Sequence, residues 1–259
     1  MPFAENRFPL FRGMLYAVAK SRIGLLPRIM PILHHHPLCP HSRYIRLALS
    51  EMGEEAALAE ERPWERRREF LALNPAGKTP VFVEDGGLAV PGAATIAEYL
   101  HESRGSALGR TPLHGASPEA RVEVRRVADW FNAKFFEEVS GPLVHEKATR
   151  RFMSEEDGGG PPDMNVLRAA RANIGYHLTY IGWLNARRHW LAGDSITFAD
   201  LAAAAHLSVC DYFGDVPWEQ DETAKLWYAR MKSRPAMRII LAERPAGIRP
   251  PEHYANPDF

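Results

Sequence analysis

The stretch of residues 74–100 constrains the fold more than any other part of the chain. It opens on a turn, because its Asn-Pro pair and the Gly that follows are strong breakers of regular structure. Residues 81–83 and 88–90 then read as two short strands, and the Asp-Gly-Gly between them is typical of a β-hairpin. Residues 93–103 carry apolar side chains at helical spacing. A loop, a hairpin and a helix in this order predict the second half of a thioredoxin-like domain.

The first half of such a domain is recognisable upstream. Residues 32–33 form a predicted strand, and residues 42–52 carry apolar side chains at helical spacing before Gly53 ends the helix. Residues 56–61 form a weaker second strand. The chain is therefore predicted to contain a thioredoxin-like α/β domain over residues 31–106.

Residues 112–244 predict a second, all-helical domain, because apolar side chains repeat at helical spacing along several long segments. Gly141 and the proline after it are expected to kink or break the first long helix. Thr197 and Asp200 have the spacing of a capping box at the start of a later helix. We interpret both residues as structural.

The composition excludes several classes of function. The net charge is zero, so no general attraction to nucleic acid is indicated. No apolar run approaches the roughly 20 residues that cross a bilayer. The two cysteines, Cys39 and Cys210, lie far apart, which argues against a disulfide framework and fits a reducing cytosol. Residues 1–30 are basic and partly apolar, and we interpret them as a poorly ordered extension rather than a membrane-surface helix.

Three consecutive histidines, His34, His35 and His36, raise the question of a metal site. Along a strand successive side chains alternate faces, so His34 and His36 share a face that His35 does not. No acidic cluster stands nearby to complete a coordination shell. We therefore expect no metal here, and solvated imidazoles at the end of a strand.

Residues 74–80 read Asn-Pro-Ala-Gly-Lys-Thr-Pro, which resembles the Asn-Pro-x-Gly-x-Val-Pro loop of the glutathione transferase superfamily. The resemblance implies a cis peptide bond before Pro80 and a backbone at Thr79 that binds the cysteinyl part of glutathione. Family members carry a Glu/Gln-Ser pair at the next helix N-terminus, which holds the γ-glutamyl carboxylate. This chain has Gly92 and Ala93 there. Each lost hydrogen bond to a charged group costs about 1.5–3 kcal/mol, so we expect only a remnant of the glutathione pocket.

Cys39 precedes a proline just before a helix, where the helix dipole lowers the pKa of a thiol. The pair resembles the Cys-Pro of omega-type thiol transferases, which form a mixed disulfide with glutathione. One hypothesis is therefore a glutathione transferase, or a glutathione-dependent thiol transferase, that uses Cys39. The alternative interpretation of Cys39 is a small residue that fills a loop.

Trp64 lies next to Arg66 and Arg67 in a charged stretch, and Trp beside Arg is a composition typical of interfaces. The alternative interpretation is a Trp packed under a loop. The first interpretation makes these three residues candidate contacts to a partner.

The tail, residues 245–259, has no periodicity and several prolines, so it is expected to be extended. Such a segment is either disordered or a docking peptide, and as a docking peptide it has Tyr254, Asp258 and Phe259 as candidate anchors on a partner. From about residue 31 to its end the chain resembles the glutathione-transferase-like division proteins of alphaproteobacteria, which have a similar Trp-Glu-Arg-Arg segment and a similar ending. The resemblance implies a homodimer that binds the division GTPase FtsZ directly, promotes curved filaments and has no transferase activity.

Three hypotheses follow. The leading one is a non-catalytic regulator of cell division in the cytoplasm that binds FtsZ, requires no cofactor and reaches a second division partner through its tail. The second is the enzyme that uses Cys39 together with glutathione. The third is a stress or chaperone-type binding module without thiol chemistry. Retention on glutathione resin separates the first hypothesis from the second.

Overall fold

The computed structural model describes residues 30–105, 112–245 and 247–256. Almost all of the predicted N-terminal extension therefore lies outside the described residues. The predicted contact residues Asp258 and Phe259 lie outside them as well. Within the described ranges, no helix combines the length and the apolar character that crossing a bilayer requires.

The N-terminal domain is built on a mixed β-sheet, which confirms the predicted thioredoxin-like arrangement. Its strands lie in the order β2-β1-β3-β4; β1 pairs in parallel with β2 and antiparallel with β3, and β3 and β4 form the predicted hairpin. In chain order its elements are β1 (Ile32–His35), α1 (Pro40–Met52), β2 (Ala57–Glu60), α2 (Arg68–Leu73), β3 (Val81–Val83), β4 (Ala89–Pro91) and α3 (Ala93–Arg104).

Buried apolar side chains fix the register of this sheet. Leu33 of β1 lies opposite Phe82 of β3, and Phe82 lies opposite Val90 of β4. All three are buried in the core. A slip by one residue would turn each of these side chains to the other face, so the pairing is strongly specified.

The second domain is helical, as predicted. Its elements in chain order are α4 (Pro118–Asp129), a π-helical segment (Trp130–Ser140), α5 (Gly141–Val144), a second π-helical segment (His145–Thr149), α6 (Arg150–Phe152), α7 (Met164–Asn185), α8 (Phe198–Tyr212), α9 (Glu222–Lys232) and α10 (Arg238–Leu241). Every residue of α8 is buried, so this helix is the centre of the domain.

Of the kink or break predicted at Gly141, the break is wrong, because residues 118–152 are continuously helical. The N–H of Gly141 bonds the carbonyl of Phe136, five residues back, which is the π-helical pattern. The wider turn accommodates Pro142, which would break an ordinary α-helix. A side chain at Gly141 would bring its Cβ to 2.6 Å from the Phe136 carbonyl oxygen, so the position requires glycine.

The predicted capping box is present at the start of α8. The carboxylate of Asp200 accepts the backbone N–H of Thr197 at 3.0 Å. It also accepts the backbone N–H of Leu191 at 2.9 Å and the indole N–H of Trp227 at 3.1 Å. Asp200 is fully buried, so it ties the helix start to two other segments of the domain.

Arg43 of α1 joins the two domains. Its guanidinium is fully buried and donates to the carbonyl of Pro37 at 2.7 Å. Across the domain boundary it donates to the hydroxyls of Ser208 at 2.9 Å and Tyr254 at 3.2 Å. The carboxylate of Glu243 lies 3.9 Å away. One buried cation therefore holds α1, α8 and the tail together.

The tail is not the extended strap that the sequence predicts. Glu252–Ala255 form a 3₁₀ turn, and Tyr254 has no exposed surface. Its ring packs edge-on against Tyr212 at 5.0 Å between centroids. The predicted role of Tyr254 as a partner contact is therefore wrong: the side chain anchors the tail to its own chain. Sequence periodicity misses such an anchor because a single aromatic residue creates no pattern.

A neighbouring polar cluster holds the same turn. The ammonium of Lys232 donates to the carbonyl of His253 at 2.9 Å. The imidazole Nε2 of His253 lies 3.1 Å from the carboxylate of Asp211, which is fully buried in α8. The tail thus docks through buried hydrogen bonds as well as through the Tyr254 ring.

Truncation of the anchor should destabilise the whole chain. Replacing Tyr254 with Ala leaves a cavity and removes the hydroxyl that accepts a hydrogen bond from Arg43. The free energy of unfolding should therefore fall by about 3 kcal/mol. Tyr254→Phe keeps the ring and should cost only about 1 kcal/mol. Urea denaturation followed by circular dichroism measures both. A Tyr254→Ala variant as stable as the wild type would show that the tail is not docked in solution.

Candidate functional site

A cavity of about 550 Å³ lies between the two domains. On the N-terminal side Cys39, Trp64 and Thr79 line it, and on the helical side Phe136 and Val144 do. The cavity therefore brings together predicted site residues that lie far apart in the sequence. Its walls are largely apolar, which is typical of small-molecule sites.

Cys39 occupies the N-cap position of α1, and its sulfur lies 3.7 Å from the carbonyl oxygen of Thr79. The side chain is partly exposed to the cavity. Burial raises the pKa of this thiol, but hydrogen bonding and charge from His41, together with bonds from Ser42 and Thr79, lower it to about 7. A substantial fraction of Cys39 is therefore thiolate at neutral pH.

His41 is a residue of the cavity wall that sequence reasoning missed. Its Nε2 lies 2.9 Å from the backbone carbonyl oxygen of Asn132, in the other domain. The ring also packs on Phe136 at 4.5 Å between centroids. Burial lowers the pKa of His41, but bonding and charge from Cys39 and the bond to Asn132 raise it above its ordinary value. A Cys-x-His spacing before a helix could have indicated this pair.

The position of Trp64 fits both predictions, because its side chain is partly packed and partly accessible to a partner. It lies in a 3₁₀ turn, Pro63–Glu65, where it is half-buried and lines the cavity. Its ring meets His36 edge-on at 5.3 Å between centroids. Arg66 and Arg67 follow it and are exposed on the surface. A partner could therefore contact Trp64 at the edge of the cavity together with the exposed side chains of Arg66 and Arg67.

The histidine run differs from expectation, since two of its members are buried rather than solvated. His35 is 4% exposed and His36 is 9% exposed. Burial and the charge of Arg46 lower the pKa of His35 to about 3, and burial and the charge of Arg43 lower that of His36 to about 4. Both are therefore neutral at pH 7. The described residues contain no group of three or more His, Cys, Asp or Glu side chains placed to hold a metal ion.

The predicted remnant of the glutathione pocket has the backbone conformation that the resemblance implies, but it lacks the Glu/Gln-Ser side chains. The peptide bond between Thr79 and Pro80 is cis. Gly92 is exposed at the N-cap of α3 with a φ of 88°, where a side chain would be strained. Ala93 is buried, and no side chain caps the helix. Gly92 and Ala93 therefore offer a ligand backbone groups only, and neither supplies a side-chain hydroxyl or carboxylate.

Two family models match this chain. Residues 38–103 match the glutathione S-transferase N-terminal domain, and residues 142–235 match the glutathione S-transferase C-terminal domain. Together they cover the N-terminal domain from α1 to α3, without strand β1, and most of the helical domain.

Individual proteins align over nearly the whole chain. The chain is 45% identical to FtsZ-localized protein A of Caulobacter vibrioides, over 88% of this chain and 97% of that protein. It is 26% identical to glutathione S-transferase 2 of Saccharomyces cerevisiae, over 82% of this chain and 90% of that protein.

Solved structures agree with these alignments. A glutathione S-transferase from Sinorhizobium meliloti superimposes with a TM-score of 0.87 at 49% identity, over 89% of this chain and 100% of that one. FzlA from C. crescentus superimposes with a TM-score of 0.82 at 44% identity, also over 89% of this chain and 100% of that one.

The bare N-terminus of α3 predicts weak glutathione binding that a hydroxyl would strengthen. Ala93→Ser supplies one hydrogen bond to the ligand carboxylate, worth about 1.5 kcal/mol, so the affinity should rise roughly tenfold. Isothermal titration calorimetry with reduced glutathione measures the change. Ala94→Ser, one residue further into the helix, is the matched control and should leave the affinity unchanged. Equal affinities for the Ala93→Ser variant and the wild type would contradict this assignment of the pocket.

Proposed function

The chain belongs to the glutathione S-transferase family, and from that premise we propose that it is a non-catalytic regulator of cell division that binds FtsZ. The observation that carries the proposal is its similarity, over nearly the full length of both chains, to a protein named for its localisation with FtsZ. In this proposal it acts in the cytoplasm at the division site, and it promotes the curvature and constriction of FtsZ filaments.

The rim of the cavity supports a direct contact. Trp64 is half-exposed there, and Arg66 and Arg67 extend into solvent beside it. A few Trp, Tyr and Arg residues carry most of the binding energy of protein interfaces, and they cluster around pockets. Arg67 is held by a two-point ion pair with the buried carboxylate of Glu61, at 3.0 and 2.7 Å, so its position is fixed before a partner arrives. We therefore propose these three residues as the FtsZ contact.

No cofactor is required in this proposal. Gly92 and Ala93 supply no side-chain hydrogen bond to a γ-glutamyl carboxylate. This supports the proposal that the chain retains the fold of the family without depending on glutathione. Surface contact then replaces catalysis as the source of function.

A second partner is proposed for the end of the tail. Tyr254 is buried in the core, so the chain is anchored four residues before the first of the predicted contacts, Asp258 and Phe259. A charged and an aromatic residue beyond a fixed point form a short docking peptide. We propose that these two residues, without Tyr254, contact a second division protein.

A homodimer is also part of the proposal. On α7, Tyr176 is 61% exposed and Trp183 is 49% exposed. Tyr180 lies between Trp183, on which it stacks, and Trp130, which it contacts at a tilt. A contiguous aromatic surface of this kind is unusual on a protein that works as a monomer. A second copy of the chain would cover it.

The enzyme hypothesis keeps one specific observation in its favour. Cys39, with a lowered pKa, faces a cavity next to the cis Thr79–Pro80 bond. A glutathione-dependent transferase would be retained on glutathione resin, and its activity would be lost in Cys39→Ser. Clear retention together with such activity would favour the enzyme over the regulator.

Co-pelleting with FtsZ polymers tests the leading proposal. Trp64→Ala should raise the Kd by roughly thirtyfold or more, because truncation of a central aromatic contact costs about 2 kcal/mol. Leu226→Ala removes an apolar side chain on α9 that is more exposed than Trp64, and this variant should bind as the wild type does.

Two results would count against it in different ways. Unchanged binding of the Trp64→Ala variant would remove the assigned contact while leaving the function in place. Failure of the wild-type chain to co-pellet at micromolar FtsZ would remove the function itself.

A further inference from the structure

Another cavity, of about 720 Å³, lies on the helical domain between α6 and the tail. This basic groove is lined by side chains from 146–151, from the loop 153–162, and by Tyr212, Phe213, Ile248 and Arg249. No residue lines both this groove and the cavity between the two domains. The basic groove is therefore a separate site.

Hydrogen bonds hold both walls of the basic groove in place. On one side the N–H of Gly160 donates to the carbonyl of Arg150 at 3.2 Å, so the loop is folded against α6. On the other side the hydroxyl of Tyr212 donates to the carbonyl of Ile248 at 2.8 Å, which ties the tail to α8. The groove is thus formed before a ligand arrives, which lowers the entropic cost of binding.

Four cations and two carboxylates line the groove. The buried carboxylate of Glu146 lies 2.9 Å from the guanidinium of Arg150, so these two charges neutralise each other. The ammonium of Lys147 lies 2.5 Å from the carboxylate of Asp215, which the guanidinium of Arg171 also contacts at 2.8 Å. The carboxylates that are buried around the groove therefore already have cations of this chain as partners.

Arg151 and Arg249 are the remaining cations of the lining. Both are exposed, and in the part of the chain that the structure describes no carboxylate lies within ion-pairing distance of either. Arg151 reaches across to the tail, since a Cβ placed on Gly247 would lie 3.7 Å from its Nη2. Glu155, the other acidic residue of the lining, is exposed in the loop. The groove thus has an excess of positive charge, and two guanidinium groups are free to bind an anion.

Apolar side chains lie beside these charges. Phe213 is half-buried, and its ring meets the ring of Tyr212 edge-on at 6.0 Å between centroids. The ammonium of Lys147 lies 5.4 Å from the centroid of the Phe213 ring. Met153 and Pro161 line the groove as well. A ligand would therefore meet an apolar surface next to two guanidinium groups.

This shape fits an extended peptide better than a small molecule. Small-molecule sites bury most of the surface of their ligand, whereas this groove is open to solvent. Guanidinium groups pair with carboxylates in a two-point geometry, so acidic side chains complement the charge of the groove.

We propose that the basic groove is a docking site for an acidic linear peptide. Its carboxylates pair with Arg151 and Arg249, and an apolar side chain between them packs on Phe213. The partner is a protein segment rich in Asp and Glu that contains an aromatic or aliphatic residue. This site is separate from Trp64 and from the inter-domain cavity, so it does not depend on the proposed contact to FtsZ.

Fluorescence anisotropy with a synthetic peptide tests the chemistry of the ligand. The labelled hexapeptide Glu-Asp-Phe-Asp-Glu-Leu should bind the full chain. Its amide counterpart, Gln-Asn-Phe-Asn-Gln-Leu, should bind roughly tenfold more weakly or worse, because its pairs with guanidinium groups are lost. Raising NaCl from about 0.05 M to about 0.5 M should weaken the binding of the acidic peptide, since salt screens exposed charges. Equal affinities for the two peptides would overturn the proposal.

Substitutions in the groove test its location. Arg151→Gln and Arg249→Gln should each raise the Kd of the acidic peptide by roughly tenfold, because each removes one charged hydrogen-bond donor. Arg238→Gln, the matched control, removes an exposed guanidinium on α10, outside the groove, and should bind as the wild type does. Thermal unfolding followed by circular dichroism checks that every variant is folded. Wild-type affinity in the Arg151→Gln, Arg249→Gln double variant would overturn the assignment of the site.

Other anionic partners would give a different result. Wild-type chain that binds phosphatidylglycerol vesicles or single-stranded DNA through the same two arginines, and does not bind the acidic peptide, would overturn the peptide assignment. Binding of the acidic peptide that both Arg151→Gln and Arg249→Gln weaken, with Arg238→Gln unchanged, would support it.

Discussion

The buried guanidinium of Arg43 is the interaction on which the arrangement of this protein depends. A charge is expensive to bury unless hydrogen bonds surround it. Here its partners come from the loop before α1, from α8 and from the tail, at Pro37, Ser208 and Tyr254. Separating the two domains would break the bond from Arg43 to Ser208, and detaching the tail would break its bond to Tyr254.

The same interaction shapes the cavity. Pro37 lies two residues before Cys39, so the bond from Arg43 fixes the loop that presents the thiol. The domain contact also brings the carbonyl of Asn132 to His41. The chemistry of the cleft therefore depends on how the domains dock, and a change in that docking would alter the thiol as well as the rim around Trp64.

Two helix N-termini of the N-terminal domain differ in the groups that they offer a ligand. The N-terminus of α1 keeps a thiol with a lowered pKa, whereas the N-terminus of α3 has Gly92 and Ala93 and offers backbone groups only. The fold does not need the missing side chains, since its sheet, helices and cis peptide bond are intact. A scaffold of this kind can pass from ligand binding to surface recognition without refolding.

The sequence by itself determined the local structure: the hairpin, the helices of both domains and the capping box at Thr197, because turn residues, apolar spacing and caps act between neighbours in the chain. Only the tertiary structure decided which single residues are buried and which distant residues they contact. Tyr254 anchors the tail, and His35 and His36 are buried and neutral. His41 lies within hydrogen-bonding distance of the Asn132 carbonyl oxygen, 91 residues away in the sequence. Such pairings join distant segments, and they leave no periodic pattern because their energy comes from packing and desolvation rather than from local conformation.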